Sequence, residues 1–179
     1  RSYFVSPVAY IVITFFLLVT GFLFFMTFFL YDRAELRGFF QILPLTLAIV
    51  VPAITMRLLS EEKNTGSFEM LLTLPVSVAD VVAGKILSAT VFSAVMLAPT
   101  MLYAVSVYLV GSPDIGPIVG GYLGALFLAA AYSAIGVFVS SLTKNQIVAF
   151  IIAFAICFLL WVLDVFLPLL PVGVVDLFE

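Results

Sequence analysis

Apolar residues run almost unbroken through five stretches, residues 8–30, 39–56, 86–110, 118–139 and 147–167, separated by short polar breaks. A helix rises about 1.5 Å per residue, so roughly 20 apolar residues cross a hydrocarbon core of about 30 Å. None of the stretches shows the apolar/polar alternation of a barrel strand. The pattern therefore predicts an all-α integral membrane protein with five transmembrane helices in one domain, residues 1–179. Pro44 and Pro52 lie in the second stretch and Pro99 in the third. Each removes a backbone donor and is expected to kink its helix, which packed neighbours in a membrane tolerate.

Composition sharpens the class. The chain has 179 residues, 65% hydrophobic and 9% charged, whereas a soluble domain has roughly 45–50% apolar and about 25% charged residues. There is no His and a single Cys, Cys157, inside an apolar run. An internal disulfide, a Cys/His metal site and a Cys–His nucleophile pair are therefore excluded. No G-x-x-x-x-G-K-[ST] phosphate loop occurs, so ATP is not bound by that route. No HExxH, Ser–His–Asp set or paired intramembrane carboxylate occurs either, and the chain is not expected to be an enzyme or to hold a cofactor of its own. No nucleic-acid partner is expected.

Charge placement gives an orientation. With the N-terminus inside, Arg1, Arg57, Lys63, Lys85 and Lys144 fall on the inner side, and Arg33 and Arg37 on the outer. Asp114, Asp164, Asp176 and Glu179 also fall outside. The rule that Lys and Arg stay in cytoplasmic loops then predicts an N-in, multi-pass protein of the plasma (bacterial inner) membrane. No charged residue sits in the middle of a span, which counts against an ion-coupled carrier; Asp164 is placed at the outer interface. Tyr103, Tyr108, Tyr132, Thr90 and Thr100 read as helix–helix contacts or interface anchors before they read as a cargo path.

The fourth stretch is rich in small residues. Gly120 and Gly124 form a GxxxG pair, and Ala125, Ala129 and Ser133 continue the stripe. Small residues let helix backbones approach closely in lipid, so a tight helix contact is expected here, within the bundle or between subunits.

Between the second and third stretches lies a polar island, SEEKNTGSFEMLLTLPVS, residues 60–77. Glu61, Glu62, Lys63 and Asn64 read as a solvated turn. Gly66 suits a helix N-cap, and Glu69, three residues on, is placed to reach back to free amides and to meet the positive end of the helix dipole. Phe68, Leu71 and Leu72 recur at i, i+3 and i+4 on one helix face, and Pro75 ends the element. The island thus predicts a short amphipathic helix. Three roles remain open for it: a helix lying in the lipid interface, a plain connector, or a plug for a groove on another protein.

These residues carry a resemblance. EEKNTGSFEMLLTLPVSVADVVAGK resembles the cytoplasmic loop of ABC-2 type permeases, in which an acidic residue and a Gly are followed by Glu, then Leu-Leu, then Pro. Glu61 or Glu62, Gly66, Glu69, Leu71, Leu72 and Pro75 match that order. The opening SYFVSPVAYIV is similar to the start of the first span in the gliding-motility-associated permeases of the family.

The resemblance implies a permease subunit of an ATP-driven ABC transporter, an exporter, with the loop as a coupling helix seated in a cleft of a separate ATP-binding subunit. ATP and Mg would be held in that partner, and the permease would pair with a second copy or a paralogue. Phe68, Leu71 and Leu72 would be the buried plug; Glu61, Glu62 and Glu69 would be rim contacts or caps. The family usually has six spans and an amphipathic helix before the first. Five stretches are visible and no initiator Met precedes Arg1, so the chain is expected to be a fragment lacking that leading helix and the sixth span. A scaffold or assembly protein that docks a cytoplasmic partner through residues 60–77, without transport, is the alternative function.

Overall fold

The computed structural model describes residues 7–31, 36–65, 77–111 and 114–166. The described residues form helices and short connections, with no strand among them. In chain order the helices are α1 (Pro7–Tyr31), α2 (Arg37–Thr55), α3 (Arg57–Thr65), α4 (Val78–Leu97), a 3-10 turn (Ala98–Thr100), α5 (Met101–Val110), α6 (Ile115–Leu142) and α7 (Gln146–Phe166). Four segments are long and apolar enough to cross a membrane: Arg37–Asn64, Val78–Leu109, Ile115–Leu142 and Gln146–Phe166. Helix α1 has 25 residues, with a shorter described apolar stretch, Tyr10–Met26.

Helix is the form these sequences take because lipid offers no partner for a backbone N–H or C=O. The hydroxyl residues obey the same constraint by bonding back along their own helices. Thr20 donates to Phe16 O at 2.7 Å, Thr46 to Leu43 O at 2.8 Å, Thr55 to Val51 O at 2.9 Å and Ser93 to Ala89 O at 3.0 Å. Each of these side chains is buried and polar, and each is satisfied without leaving its turn.

Helix α6 is the centre of the bundle, packed against α2, α3, α4 and α7. The main core joins Phe16 and Phe24 of α1 to Phe39, Leu43, Leu47 and Val51 of α2, Phe92 and Met96 of α4, and Tyr122, Ala125 and Ala129 of α6. The large apolar side chains that stay exposed, such as Leu109, Phe127 and Ile147, ring the outside. That is the pattern of a helix bundle whose solvent is hydrocarbon, where packing and close approach hold helices together because lipid is as apolar as Leu.

Three expectations change against this structure. Glu61, Glu62, Lys63 and Asn64 are not a solvated turn; they are helical and belong to α3. The third span starts at Val78, not at residue 86, because Ser77 and Asp80 build a capping box ahead of the apolar run. The small-residue row also has a different phase. A Cβ at Gly120 or Gly124 would meet nothing within 4 Å, whereas one at Gly121 would meet the Phe40 ring at 2.6 Å and one at Gly136 would collide with Thr55. Ala125, Ala129 and Ser133 are buried as expected, but four-residue steps back from Ser133 pass through Gly121. The close contact within the chain is therefore made by Gly121 and Gly136, and Gly120 and Gly124 take no part in it.

Pro99 and Pro52 lie at or near the interruptions of two spans. Pro99 lies in the 3-10 turn that divides α4 from α5. Pro44 and Pro52 lie inside α2, and the break between α2 and α3 falls at Met56, one turn beyond Pro52.

Candidate functional site

The two helices that flank the polar loop, α3 and α4, meet at one end of the bundle. Gly66, Phe68, Glu69, Leu71, Leu72 and Pro75 lie outside the described residues, so the structure says nothing about them. It does define what the loop is mounted on.

On the α3 side the mount is built from other helices. Ser140 of α6 is wholly buried, and its Oγ accepts from the backbone N–H of Leu59 at 3.1 Å and of Ser60 at 3.0 Å while donating to Met56 O at 3.0 Å. The first N–H groups of a helix have no partner within it. A side chain from a helix 80 residues away in sequence supplies two of them, the service an N-cap residue normally renders locally. Lys63, in the last turn of α3, donates to Ser141 O in the last turn of α6, where a cation suits the exposed carbonyls and the negative end of the dipole.

On the α4 side, Ser77 Oγ accepts from Asp80 N at 3.1 Å, and Asp80 Oδ2 accepts from Ser77 N at 3.3 Å. This reciprocal pairing satisfies free amides and fixes where α4 begins. Lys85 then ties the two mounts together. Its ammonium donates to Leu58 O at 2.6 Å and to Glu62 Oε1 at 2.5 Å. The side chains of the pair are 15% and 28% exposed, Lys85 first. A fully buried pair costs about 3–5 kcal/mol when one partner is removed, and an exposed pair is worth about 0–1 kcal/mol; the geometry here lies between. Glu62 is thus turned inward to Lys85, a role its place in the sequence did not suggest. Glu61 is exposed, together with Arg57 and Asn64, on the face of α3 away from the bundle.

At the opposite end the helices are held by aromatic rings. Tyr103 stacks on Phe24 at 4.9 Å and meets Phe39 edge-on at 5.8 Å, and Phe40 meets Tyr122 edge-on at 5.3 Å. Tyr122 donates to Thr100 O at 2.8 Å, at the Pro99 turn. Tyr103 donates to Leu17 O at 3.3 Å and Tyr132 to Cys157 O at 3.5 Å, while Thr90 bonds back to Ile86 O at 2.9 Å. These groups act as contacts within and between helices; Tyr108 faces outward. Ser133 Oγ is wholly buried and has no hydrogen-bond partner among the described residues. The described residues contain no cluster of His, Cys, Asp or Glu able to hold a metal ion.

The sequence has a counterpart among known families: the sequence model of the ABC-2 family transporter protein matches residues 16–178. The chain belongs to the ABC-2 transporter family. As a member it is a membrane-spanning transport component of an ABC transporter, multi-pass, and not itself the catalytic part. No curated protein and no solved structure matches it. Within an ABC-2 permease, the segment between α3 and α4 joins two helices that Lys85 and Glu62 hold to each other.

Proposed function

We propose that the chain is the permease subunit of an ABC exporter of the bacterial inner membrane, and that residues 60–77 seat a separate ATP-binding subunit. The observation that carries this reading is the mount. Both helices entering the loop are fixed, α3 by Ser140 and Lys63 and α4 by the Ser77–Asp80 box, and the Lys85–Glu62 pair joins them. A plain connector has no need of such bracing, whereas a loop that receives force from a partner does. Phe68, Leu71 and Leu72 form the plug, with Gly66 and Glu69 at its start and Pro75 at its end. Glu61, exposed on α3 and a few residues ahead of them in the chain, is the rim contact.

The charge distribution supports an N-in orientation. Arg57, Lys63, Lys85 and Lys144 gather at the loop end of the bundle, and Arg37 sits at the other. ATP and Mg belong to the partner, and a second permease copy or paralogue completes the transporter. The opening SYFVSPVAYIV is similar to the start of the first span in the gliding-motility-associated permeases, which supports reading the chain as one of that subfamily.

The test is to co-express the full gene with an ATP-binding subunit encoded beside it, and to purify the complex from wild type, Phe68→Asp and Leu72→Asp. Loss of the ATP-binding subunit from both variants, with the permease still folded in the membrane, is the expected result. Unchanged co-purification and unchanged ATP hydrolysis would remove the loop from the docking site and leave it an interfacial connector.

A further inference from the structure

Helix α6 touches the two interruptions in the neighbouring spans, and touches each with one hydroxyl. At the loop end, the break at Met56 between α2 and α3 is bridged by Ser140 Oγ, bonded to Met56 O, Leu59 N and Ser60 N. At the other end, the turn Ala98–Thr100 between α4 and α5 is bridged by Tyr122, whose hydroxyl donates to Thr100 O at 2.8 Å and lies 3.2 Å from Thr100 Oγ1. Thr100 Oγ1 in turn lies 2.6 Å from Leu97 O. The two hydroxyls are 18 positions apart on α6, which at about 1.5 Å per residue is about 27 Å, close to a full bilayer core.

The two joints have the same construction. Pro52 and Pro99 lack the N–H that would continue the helical ladder. The chain stays right-handed helical at the breaks, with φ −54° and ψ −30° at Met56 and φ −55° and ψ −44° at Ala98. Neither break is therefore a rigid turn locked by its own backbone conformation. Backbone bonds run through both, from Met56 N–H to Pro52 O at 2.9 Å and from Met101 N–H to Ala98 O and Pro99 O, and each break also takes a side-chain bond from α6. Ser140, Thr100 and Tyr122 are all buried, so water does not compete for these bonds. Gly136 brings α6 against Thr55 one residue before the Met56 break, so at the first joint the post and the hinge are in direct contact.

We infer that α6 is a fixed post carrying one joint near each membrane face, with Ser140 positioning α3 and Tyr122 positioning α5. Ser140 sets the direction in which α3 presents the loop, and a push on the loop reaches α2 by turning α3 about Met56. This coupling role rests on the permease reading above; the joints themselves do not. Deleting Ser140 Oγ leaves two buried N–H groups without that acceptor, a loss large enough to raise the open population of the joint about tenfold.

The experiment uses the full chain in nanodiscs, with spin-label pairs at Asn64 and Lys144 for the first joint and at Leu109 and Val119 for the second. All four positions are exposed, and the native Cys157 is buried. Distance distributions are compared among wild type, Ser140→Ala, Ser140→Thr and Tyr122→Phe. Ser140→Ala should broaden the first pair only, Ser140→Thr should restore it, and Tyr122→Phe should broaden the second pair only. Co-purified ATP-binding subunit should stay bound to Ser140→Ala while its ATP turnover falls, and Ser140→Thr should recover that turnover. Unchanged distributions in both alanine and phenylalanine variants overturn the proposal. So does broadening of both pairs by either variant, which is general loosening. Failure of wild type to retain any ATP-binding subunit defeats the permease reading but leaves the distance results to decide the joints.

Discussion

Substituting Gly136 by Ala should destabilise the bundle, and substituting Gly124 by Ala should not. A Cβ added at Gly136 would overlap Thr55 Oγ1 and stand 2.8 Å from Thr55 Cβ. Thr55 cannot swing aside. It is wholly buried, and its Oγ1 is bonded to Val51 O at 2.9 Å and to Pro52 O at 3.3 Å. Helices α2 and α6 must therefore separate, by more than the few tenths of an ångström that would relieve an ordinary tight contact. Overpacking of this kind costs about 1–3 kcal/mol, and for a chain of this size about 2 kcal/mol lowers Tm by roughly 4–8 °C. At Gly121 the obstacle is the Phe40 ring at 2.6 Å; that ring is half-buried and can tilt, so the cost there should be smaller. At Gly124 there is open space, and Ala is the better helix former by about 1 kcal/mol. Thermal unfolding in one detergent, followed by size-exclusion recovery, should order the variants Gly136→Ala, Gly121→Ala, Gly124→Ala from least to most stable. Thr55→Ala should partly rescue Gly136→Ala by removing Oγ1 and Cγ2. If Gly124→Ala proves the most damaging of the three, the assigned phase of α6 is wrong.

The Lys85–Glu62 pair should show a coupling of about 1–2 kcal/mol in a double-mutant cycle of Lys85→Ala and Glu62→Gln, read from thermal unfolding at low salt; zero coupling would show that the two residues do not hold α3 to α4. Ser77→Ala breaks one half of the capping box and should cost about 1 kcal/mol, with hydrogen exchange rising at the first turn of α4 and nowhere else. Glu61→Lys, on the exposed face of α3, should leave stability unchanged and slow assembly with the ATP-binding subunit, because a rim charge acts on association rate more than on the fold.

The long apolar stretches were legible because their signal is local. A run of some twenty apolar residues has one outcome in lipid, and the helices at Pro7–Tyr31, Ile115–Leu142 and Gln146–Phe166 lie within a few residues of the stretches that announce them. The loop end was less legible. Glu61, Glu62, Lys63 and Asn64 look like a turn by composition, and they are helical because Ser140, Ser141 and Lys85, far off in the chain, hold them. No local pattern encodes that. The start of α4 was encoded, as Ser77-x-x-Asp80, but hydropathy alone looks past a helix that extends beyond the apolar core. Which glycines of α6 face the rest of the chain was illegible for a third reason. Gly120–Gly124 and Gly121–Ala125 are neighbouring rows with the same four-residue step, and which row faces the chain is set by Phe40 and Thr55 on α2, which the sequence of α6 does not contain.

The most direct measurement places a single photo-crosslinking residue in the full-length permease, at Leu72 in one variant and at Leu109 in another, co-expressed with the ATP-binding subunit. Docking at residues 60–77 requires an adduct with that subunit from Leu72 and none from Leu109, which is exposed at the opposite end of the bundle. An adduct from Leu109, or none from Leu72 while the subunit remains bound, would contradict the loop as the point where the ATP-binding subunit grips the membrane domain.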